Sequence, residues 1–249
     1  MKTDVSVIIV SYNTKNFIVN CIDSILKETK DIIYEIIISD NGSTDGSIEF
    51  IKDKYISKFN NILLIENNYN FGFGTANNIA KKKAKGKYVF FLNSDTIIHN
   101  NVLKIFFDFW EGHKSEPISA LGSILTNGYG MSIHSGGLFP SYTTIYNQLI
   151  DIHRRNIIKA SLKLLHLDSI VYSHRHYEGD ISGSSINDSF DYVTGADLFM
   201  KNDENAIFDE NFFMYYEETD MQLQLMKKGL HCVILTEPLI ESQIGRAHV

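Results

Sequence analysis

Cysteine is scarce. Cys21 and Cys232 are the only two in 249 residues, and they lie far apart. Their spacing suits neither a metal cage nor a disulfide framework, which fits a reducing compartment. No stretch approaches the ~18 consecutive apolar residues that a membrane-spanning helix needs. The first apolar run, Val5–Val10, is short and follows Asp4, so it does not read as a secretory leader. Positive charge is in deficit: 23 Lys and Arg stand against 30 Asp and Glu, a formal net charge of -7. That balance excludes a general nucleic-acid binder, whose surface must neutralise phosphates. Two phosphate signatures are also missing. No G-x-G-x-x-G follows the first apolar run, and no G-x-x-x-x-G-K-[ST] occurs. These absences predict a soluble cytoplasmic protein, with peripheral contact at the inner face of the plasma membrane left open.

What is present is a large core: 44% of the residues are hydrophobic and 12% aromatic, as suits a folded enzyme. Val5–Val10 is β-branched and nearly continuous, the pattern of a strand buried on both faces. An amphipathic helix is predicted over Thr14–Lys27, with Phe17, Cys21, Ile22 and Ile25 on one face. Strand Tyr34–Ser39, helix Ser47–Lys58, strand Asn61–Glu66, helix Thr75–Lys85 and strand Tyr88–Leu92 follow. This β-α-β-α-β-α-β order predicts an α/β fold with a parallel sheet, right-handed crossovers and helices on both faces.

The chain is organised around Lys87–Thr96, KYVFFLNSDT, where an apolar run stops abruptly at Asn93-Ser94-Asp95. A carboxylate at the carboxyl end of a strand stands where open α/β sheets bind ligands. Asp95 is read either as the holder of a metal that carries a diphosphate or as a helix cap. Ser11-Tyr12-Asn13 and the loop Asp40–Ser47 end two other strands on the same side. Together they offer an aromatic ring for a base, a carboxylate acceptor for a base N–H, and a metal site for phosphates. Asp45 also suits a helix cap, and Gly42 and Gly46 suit turns. Asn70–Asn78 has Gly72 and Gly74 before a helix start, which permits either close backbone approach to a ligand or a tight turn. Glu217, Glu218 and Asp220 open a later helix; they either compensate its dipole or include a general base.

The stretches VSVIIVSYN, SDNGSTDGS, NFGFGTANN and FLNSDT, in this order, are joined by YVTGADLFM and FDENFFMYYEETDMQLQLMKKG. Together they resemble the inverting family-2 glycosyltransferases of the GT-A fold, in the bacterial rhamnosyltransferase-like branch. The resemblance covers about Val5–Leu125 and Asp191–Leu235. It implies the nucleotide-diphospho-sugar transferase fold, a mostly parallel central sheet with helices on both faces. It implies a donor linked to dTDP or UDP, with rhamnose among the sugars, and an acceptor hydroxyl on a glycan or lipid-linked glycan. On the matching positions, Ser11, Tyr12, Asn13, Asp40, Asp45, Gly72, Gly74, Asn78, Asn93, Ser94 and Asp95 are donor-binding. Asn93 stands where the family's Asp-x-Asp motif begins, which leaves Asp95 as the carboxylate on Mg2+ or Mn2+. Glu218 occupies the place of the catalytic base, a Glu for the usual Asp, with Glu217 and Asp220 beside it. Thr194, Gly195, Ala196 and Asp197 match the acceptor-side segment; a close-packed β-turn is the alternative.

The expected organisation is a single catalytic domain over 1–243: a donor half to 125, a variable insertion over 126–190, and an acceptor half from 191. In the insertion, Gln148–Leu167 reads as an amphipathic helix with a basic face, and Ser182–Ser189 as a mobile loop. His174-Arg175-His176 resembles a metal cluster only superficially. Residues 244–249, IGRAHV, look like translated adapter sequence, so the native chain is expected to continue. A metal-ligating His that the family places after its last strand would fall there, and His248 is not assigned that role. Two other functions remain open: a sugar-phosphate nucleotidyltransferase, disfavoured because Ser11–Asn16 is not a Gly- and Arg-rich loop, and an inactive sugar-nucleotide-binding module, kept by Asn93.

Overall fold

The computed structural model describes residues 2–133, 135–139 and 190–243. The predicted helix Gln148–Leu167, the predicted loop Ser182–Ser189, His174–His176 and the tail 244–249 lie outside the described residues. Residues 1–138 and 185–249 form one compact unit. A second unit, 139–184, falls almost wholly outside the described residues.

The first half follows the predicted alternation. Strand β1 (Val5–Ser11) leads to α1 (Lys15–Glu28), β2 (Tyr34–Asp40), α2 (Ser47–Ile51), β3 (Ile62–Glu66), α3 (Phe73–Lys81) and β4 (Tyr88–Leu92). Helix α2 passes into a π-helical turn over Lys52–Ile56 rather than staying α-helical to Lys58. A short β5 (Thr96–Ile98), α4 (Val102–Gly112) and β6 (Ile118–Asn127) come next. The two-residue strands β7 (Gly136–Gly137) and β8 (Tyr192–Val193) pair with each other, then β9 (Asp197–Lys201), α5 (Glu217–Lys227) and β10 (His231–Ser242) complete the unit.

The central sheet has eight strands in the order β3-β2-β1-β4-β9-β6-β10-β5. Neighbours β3, β2, β1 and β4 are parallel, as are β6 and β10. Strand β9 is antiparallel to both β4 and β6, and β5 is antiparallel to β10. The antiparallel insertion has a consequence for the site. It runs β9 away from the carboxyl end of β4, with Asp197 opposite Leu92. The segment before β9 therefore lies beside the loop after β4.

Period-two alternation divides the core. Val5, Val7, Ile9, Ile36, Ile38, Phe90 and Leu92 face α1, α2 and α4. Ile8, Ile37, Val89 and Phe91 face the other way, against Ala80 of α3 and Met221 and Leu225 of α5. Both faces are dry because both are covered, which explains strands without polar alternation. Each such side chain contributes about 1.5–3 kcal/mol relative to exposure. The larger cluster carries the aromatic packing: Tyr88 stacks on Phe199 at 5.2 Å, with Trp110 and Phe106 close by. Cys21 and Cys232 are both free and buried. Burial pushes each thiol up to about 12, so both are inert packing residues.

Candidate active site

The carboxyl ends of β1, β2 and β4 share one rim of the sheet, with Ser11 in register with Asp40. Ser11 is buried and its hydroxyl lies 3.2 Å from that of Thr14. The Tyr12 ring is 48% exposed at the strand's end, open to a planar group. Asn13 has φ 54, and its amide joins the first two loops. Its backbone N–H donates to Ser43 Oγ at 2.9 Å, and its Oδ1 accepts from Thr44 N–H at 2.8 Å.

Asp40 is fully buried and turned inward. Oδ1 accepts from the N–H groups of Gly42 and Ser43, and Oδ2 accepts from the Ser43 hydroxyl at 2.7 Å. It builds its own loop, the device of an Asx turn, instead of presenting oxygens to a base or ribose. Asp45 bridges two helix starts. Its Oδ2 accepts from Lys15 N–H at the start of α1, and its Oδ1 accepts from Ser47 N–H and Oγ at the start of α2. Burial acts to raise this carboxyl, but the hydrogen bonds from Ser47 and Lys15 outweigh it and hold it below the usual range. Both caps are satisfied from one side chain, one of them across loops.

The glycines of the third loop serve the protein's own chain. Gly72 has φ 83 and ψ 176, a region essentially closed to other residues. A Cβ there would come within 2.1 Å of the Phe213 carbonyl oxygen, and Phe73 N–H donates to that same oxygen at 3.1 Å. A Cβ is already present at Gly74's neighbours, Phe208 at 3.0 Å and Glu217 at 3.6 Å from the position Gly74 leaves empty. The close approach expected at Gly72 and Gly74 is thus filled by the segment before α5, not left open for a donor. Asn78 is corrected in the same way. It is buried, donates to Phe208 C=O at 2.8 Å and accepts from Phe208 N–H at 3.0 Å, so its amide pins that segment to α3. These three residues position the start of α5.

The loop after β4 is tied to two other chain segments. Asn93 N–H donates to Ala196 C=O at 3.0 Å. The Asp95 carboxylate accepts from the Ser242 hydroxyl at 3.1 Å, and its backbone carbonyl accepts from Gln243 N–H at 2.7 Å. The end of β10 is therefore delivered to Asp95. Ser94 is buried and Asn93 half-buried. Among the described residues, no three His, Cys, Asp or Glu side chains group to hold a metal ion.

The acceptor-side segment links this loop to α5. Glu218 packs against Gly195, and burial holds its carboxyl above the usual carboxylate range. Gly195 leaves the room this needs: a Cβ would stand 3.2 Å from the Phe73 ring and 3.7 Å from Glu218 Cβ. Glu217 is 3% exposed, and one of its oxygens, Oε2, has no hydrogen-bond partner. Burial, reinforced by the neighbouring Glu218, pushes it up to about 7. Asp220 lies half-buried one turn of helix on, accepting from the Gln224 side chain.

Asp197 departs from expectation. It is fully buried, its Oδ2 accepts from Ser123 N–H and Oγ at 2.6 Å each, and its Oδ1 has no partner. Burial pushes it up to about 8 against those two hydrogen bonds. It joins β9 to β6 and presents nothing to an acceptor hydroxyl. Thr194 is also inward, with a buried hydroxyl lacking a partner.

Several positioning residues escaped the sequence pattern. Gln222 brackets Val193 by donating to its C=O at 2.8 Å and accepting from its N–H at 2.9 Å. It stands one turn after Glu218, an i,i+4 relation that could have marked it. Asn41, Asn67 and Asn70 form an amide chain beneath the loops: Asn67 Nδ2 donates to Asn41 Oδ1, and Asn41 Nδ2 donates to Asn70 Oδ1. Their signal was asparagine abundance after two successive strands.

The fold and this placement of loops define a GT-A type of architecture. The TarS fragment 1–349 from S. aureus, in complex with UDP-GlcNAc, superimposes with a TM-score of 0.65 at 18% identity, covering 99% of this chain and 62% of that one. GalNAc-T7 with UDP, GalNAc and Mn2+ gives 0.68 at 13% identity over 98% and 44% of the two chains. At these identities the likeness establishes the fold alone. Residues 6–151 match the profile of glycosyl transferase family 2, and the chain belongs to that family. A poly(ribitol-phosphate) beta-glucosyltransferase of Bacillus spizizenii is 35% identical over 116 residues, 45% of this chain and 18% of that protein. The Escherichia coli UDP-Glc:alpha-D-GlcNAc-diphosphoundecaprenol beta-1,3-glucosyltransferase WfaP is 44% identical over 91 residues, 36% of this chain and 35% of its own length. The chain thus matches well under half the length of these relatives.

Proposed function

We propose that this chain transfers a sugar, with inversion, from a nucleotide-diphosphate donor to a hydroxyl of a glycan or lipid-linked glycan. One observation carries the reading. The short segment Gly195-Ala196 packs against Glu218 with one residue and accepts from the Asn93 N–H with the next. A desolvated carboxylate and the loop assigned to the donor phosphates are thereby kept at neighbouring places.

In this reading Glu218 is the general base. It accepts the proton of the acceptor hydroxyl as that oxygen forms its bond to the anomeric carbon. The bond from that carbon to the diphosphate breaks, and the diphosphate departs with the electron pair. A carboxyl raised by burial is closer in proton affinity to its task at neutral pH than an exposed one. Asp95 would hold a divalent cation together with the donor phosphates. One carboxylate suits such an ion, because Mg2+ and Mn2+ take oxygen ligands and share them with substrate and water. When bound, the ion supplies charge neutralisation to the leaving diphosphate. Tyr12 offers its ring to the base.

Uridine diphosphate is the favoured nucleotide, because UDP appears in the names of a relative and two fold neighbours. The rhamnose and dTDP alternatives are separated by the donor screen itself. A lipid-linked acceptor at the inner membrane face is supported by the diphosphoundecaprenol in one relative's name. No helix of the described residues is long and apolar enough to cross a membrane.

The test is calorimetry and donor turnover with UDP-glucose, UDP-N-acetylglucosamine and dTDP-rhamnose, with and without Mn2+. Asp95→Ala is expected to weaken Mn2+-dependent donor binding about a hundredfold, in keeping with several kcal/mol from metal contact. Glu218→Gln is expected to bind donor normally and fail in transfer. Equal loss of donor affinity in both variants would sink the division of roles.

A further inference from the structure

Large exposed aromatic residues gather beside α5. Tyr69 is 67% exposed, Phe213 58%, Tyr215 59% and Tyr216 64%, with Phe71 exposed as well. They come from two segments that are fastened together, since Gly72 packs on the Phe213 carbonyl and Phe73 N–H donates to it. Tyr69 and Phe71 meet edge to face at 5.3 Å. Soluble proteins seldom leave such a group uncovered without a partner for it. Tyr215 and Tyr216 both have φ 71, a left-handed conformation that bulky residues rarely adopt. Strain of this kind persists where the surrounding structure enforces it, and it collects at functional sites. Tyr216 immediately precedes Glu217 and Glu218, so the aromatic group continues into the candidate catalytic helix start.

Its charge selects the occupant. From Asp203 to Met226 the chain carries Asp203, Glu204, Asp209, Glu210, Glu217, Glu218 and Asp220 and no Lys or Arg; Glu66–Gly74 also has no basic residue. An anionic lipid surface calls for basic residues around the apolar group, and a phosphate-rich polymer calls for the same. A neutral sugar does not. One face of a pyranose ring is a patch of C–H groups, weakly positive at hydrogen, and the face of an aromatic ring is negative. We propose that Tyr69, Phe71, Phe213, Tyr215 and Tyr216 form an acceptor subsite, on which a neutral sugar ring of the acceptor stacks before its hydroxyl reaches Glu218. The proposal rests on the glycosyltransferase reading above and names the part of the acceptor that the site holds.

The test uses the whole chain and three neutral disaccharides, cellobiose, chitobiose and maltose, in saturation-transfer NMR. At least one is expected to receive saturation on the C–H groups of one ring face. The double variant Tyr69→Ala/Phe71→Ala, and separately Tyr216→Ala, are expected to bind it about tenfold more weakly, the size of a lost aromatic stacking contact. Wild-type melting temperature in each variant shows that the fold is intact. Tyr216→Phe, which keeps the ring, is expected to bind as wild type. Undiminished saturation in the alanine variants, or none from any of the three sugars, would overturn the subsite. So would loss of co-sedimentation with phosphatidylglycerol vesicles with sugar binding unchanged, which would make the surface a membrane contact. Donor turnover is measured in parallel. A wild-type chain that binds sugar in this way yet consumes no sugar nucleotide would overturn the enzymatic function, whereas turnover without ring-face saturation would overturn only the subsite.

Discussion

Asp40, the last residue of β2, and Asp45, in the loop beyond it, each accept three hydrogen bonds from their own neighbourhood. Glu217 and Asp197, on the other side of the candidate site, each keep a buried oxygen with no partner. All four are acids in loops or at element ends, and sequence alone treats them as equivalent candidates. The difference is solvation. The first pair is satisfied, and its work is to shape loops; Asp45 titrates low in consequence. The second pair is desolvated, and its carboxyls are pushed upward, Glu217 to about 7 and Asp197 to about 8. An unsatisfied buried polar atom costs about 1–3 kcal/mol. Such a cost is retained where a group is to meet something else or is locked in by packing. Glu218, half-buried and raised by burial, lies between these extremes and is the acid to which the proposed reaction assigns the proton.

The sharpest break of this contrast is at Glu218. Glu218→Gln is expected to lower transfer about 10²–10⁴-fold, the range for a positioned general base. In the unmodified chain the rate is expected to fall as pH drops through a value above that of an ordinary glutamate, because the base must be ionised and its pKa is raised. A pH–rate profile that bends at the ordinary glutamate value would contradict the desolvated base.

Next in size is Gly72→Ala. The added carbon meets the Phe213 carbonyl at 2.1 Å from a backbone conformation closed to alanine. A loss of about 3 kcal/mol in stability is expected by chemical denaturation. Transfer should decline beyond what unfolding explains, since Phe213 leads into α5, which carries the proposed base. A neutral outcome would mean that the third loop and the segment before α5 are not coupled.

Asp197→Asn sharpens the comparison through pH. The folded chain holds this proton up to about pH 8, whereas the unfolded chain releases it near the ordinary aspartate value of about 3.9. Folded-state proton uptake therefore favours the fold fully below that lower value, and the advantage is lost as pH rises to about 8. The wild-type melting temperature is expected to fall between pH 5 and pH 8 and the Asn variant to be flatter, with the difference widening toward the alkaline end. Parallel melting curves would show Asp197 ionised at neutral pH. The smallest effect is Asp45→Ala, expected to cost about 1 kcal/mol through two lost caps while donor binding changes little. A large loss of donor affinity there would return Asp45 to the binding set.

The strands and the alternating α/β order were legible because burial on both faces writes continuous apolar runs, as in Val5–Val10 and Tyr88–Leu92. The resemblance carried the fold and the family, and both stand. Helix limits moved by a few residues: α3 begins at Phe73 rather than Thr75, because the Gly72 backbone already provides the turn. Individual roles were less legible. Gly72, Gly74 and Asn78 read as ligand contacts, since small and amide residues before a helix suit anions; the structure fills that space with Phe208, Phe213 and Glu217. Nothing local announces a partner more than a hundred residues away in the chain.

By itself the sequence determined the periodicity, the sheet-edge placement of Tyr12, Asp40 and Asp95, and the acidic start of α5, because these depend on residue type and near neighbours. Only the tertiary structure decided which acids are hydrated, paired or stranded. The antiparallel β9 sets Asn93 against Ala196 and so brings Gly195 to Glu218, while the same packing closes over Asp197. Proton affinity depends on the dielectric and the donors around a carboxylate, and those surroundings come from strands and helices distant in sequence.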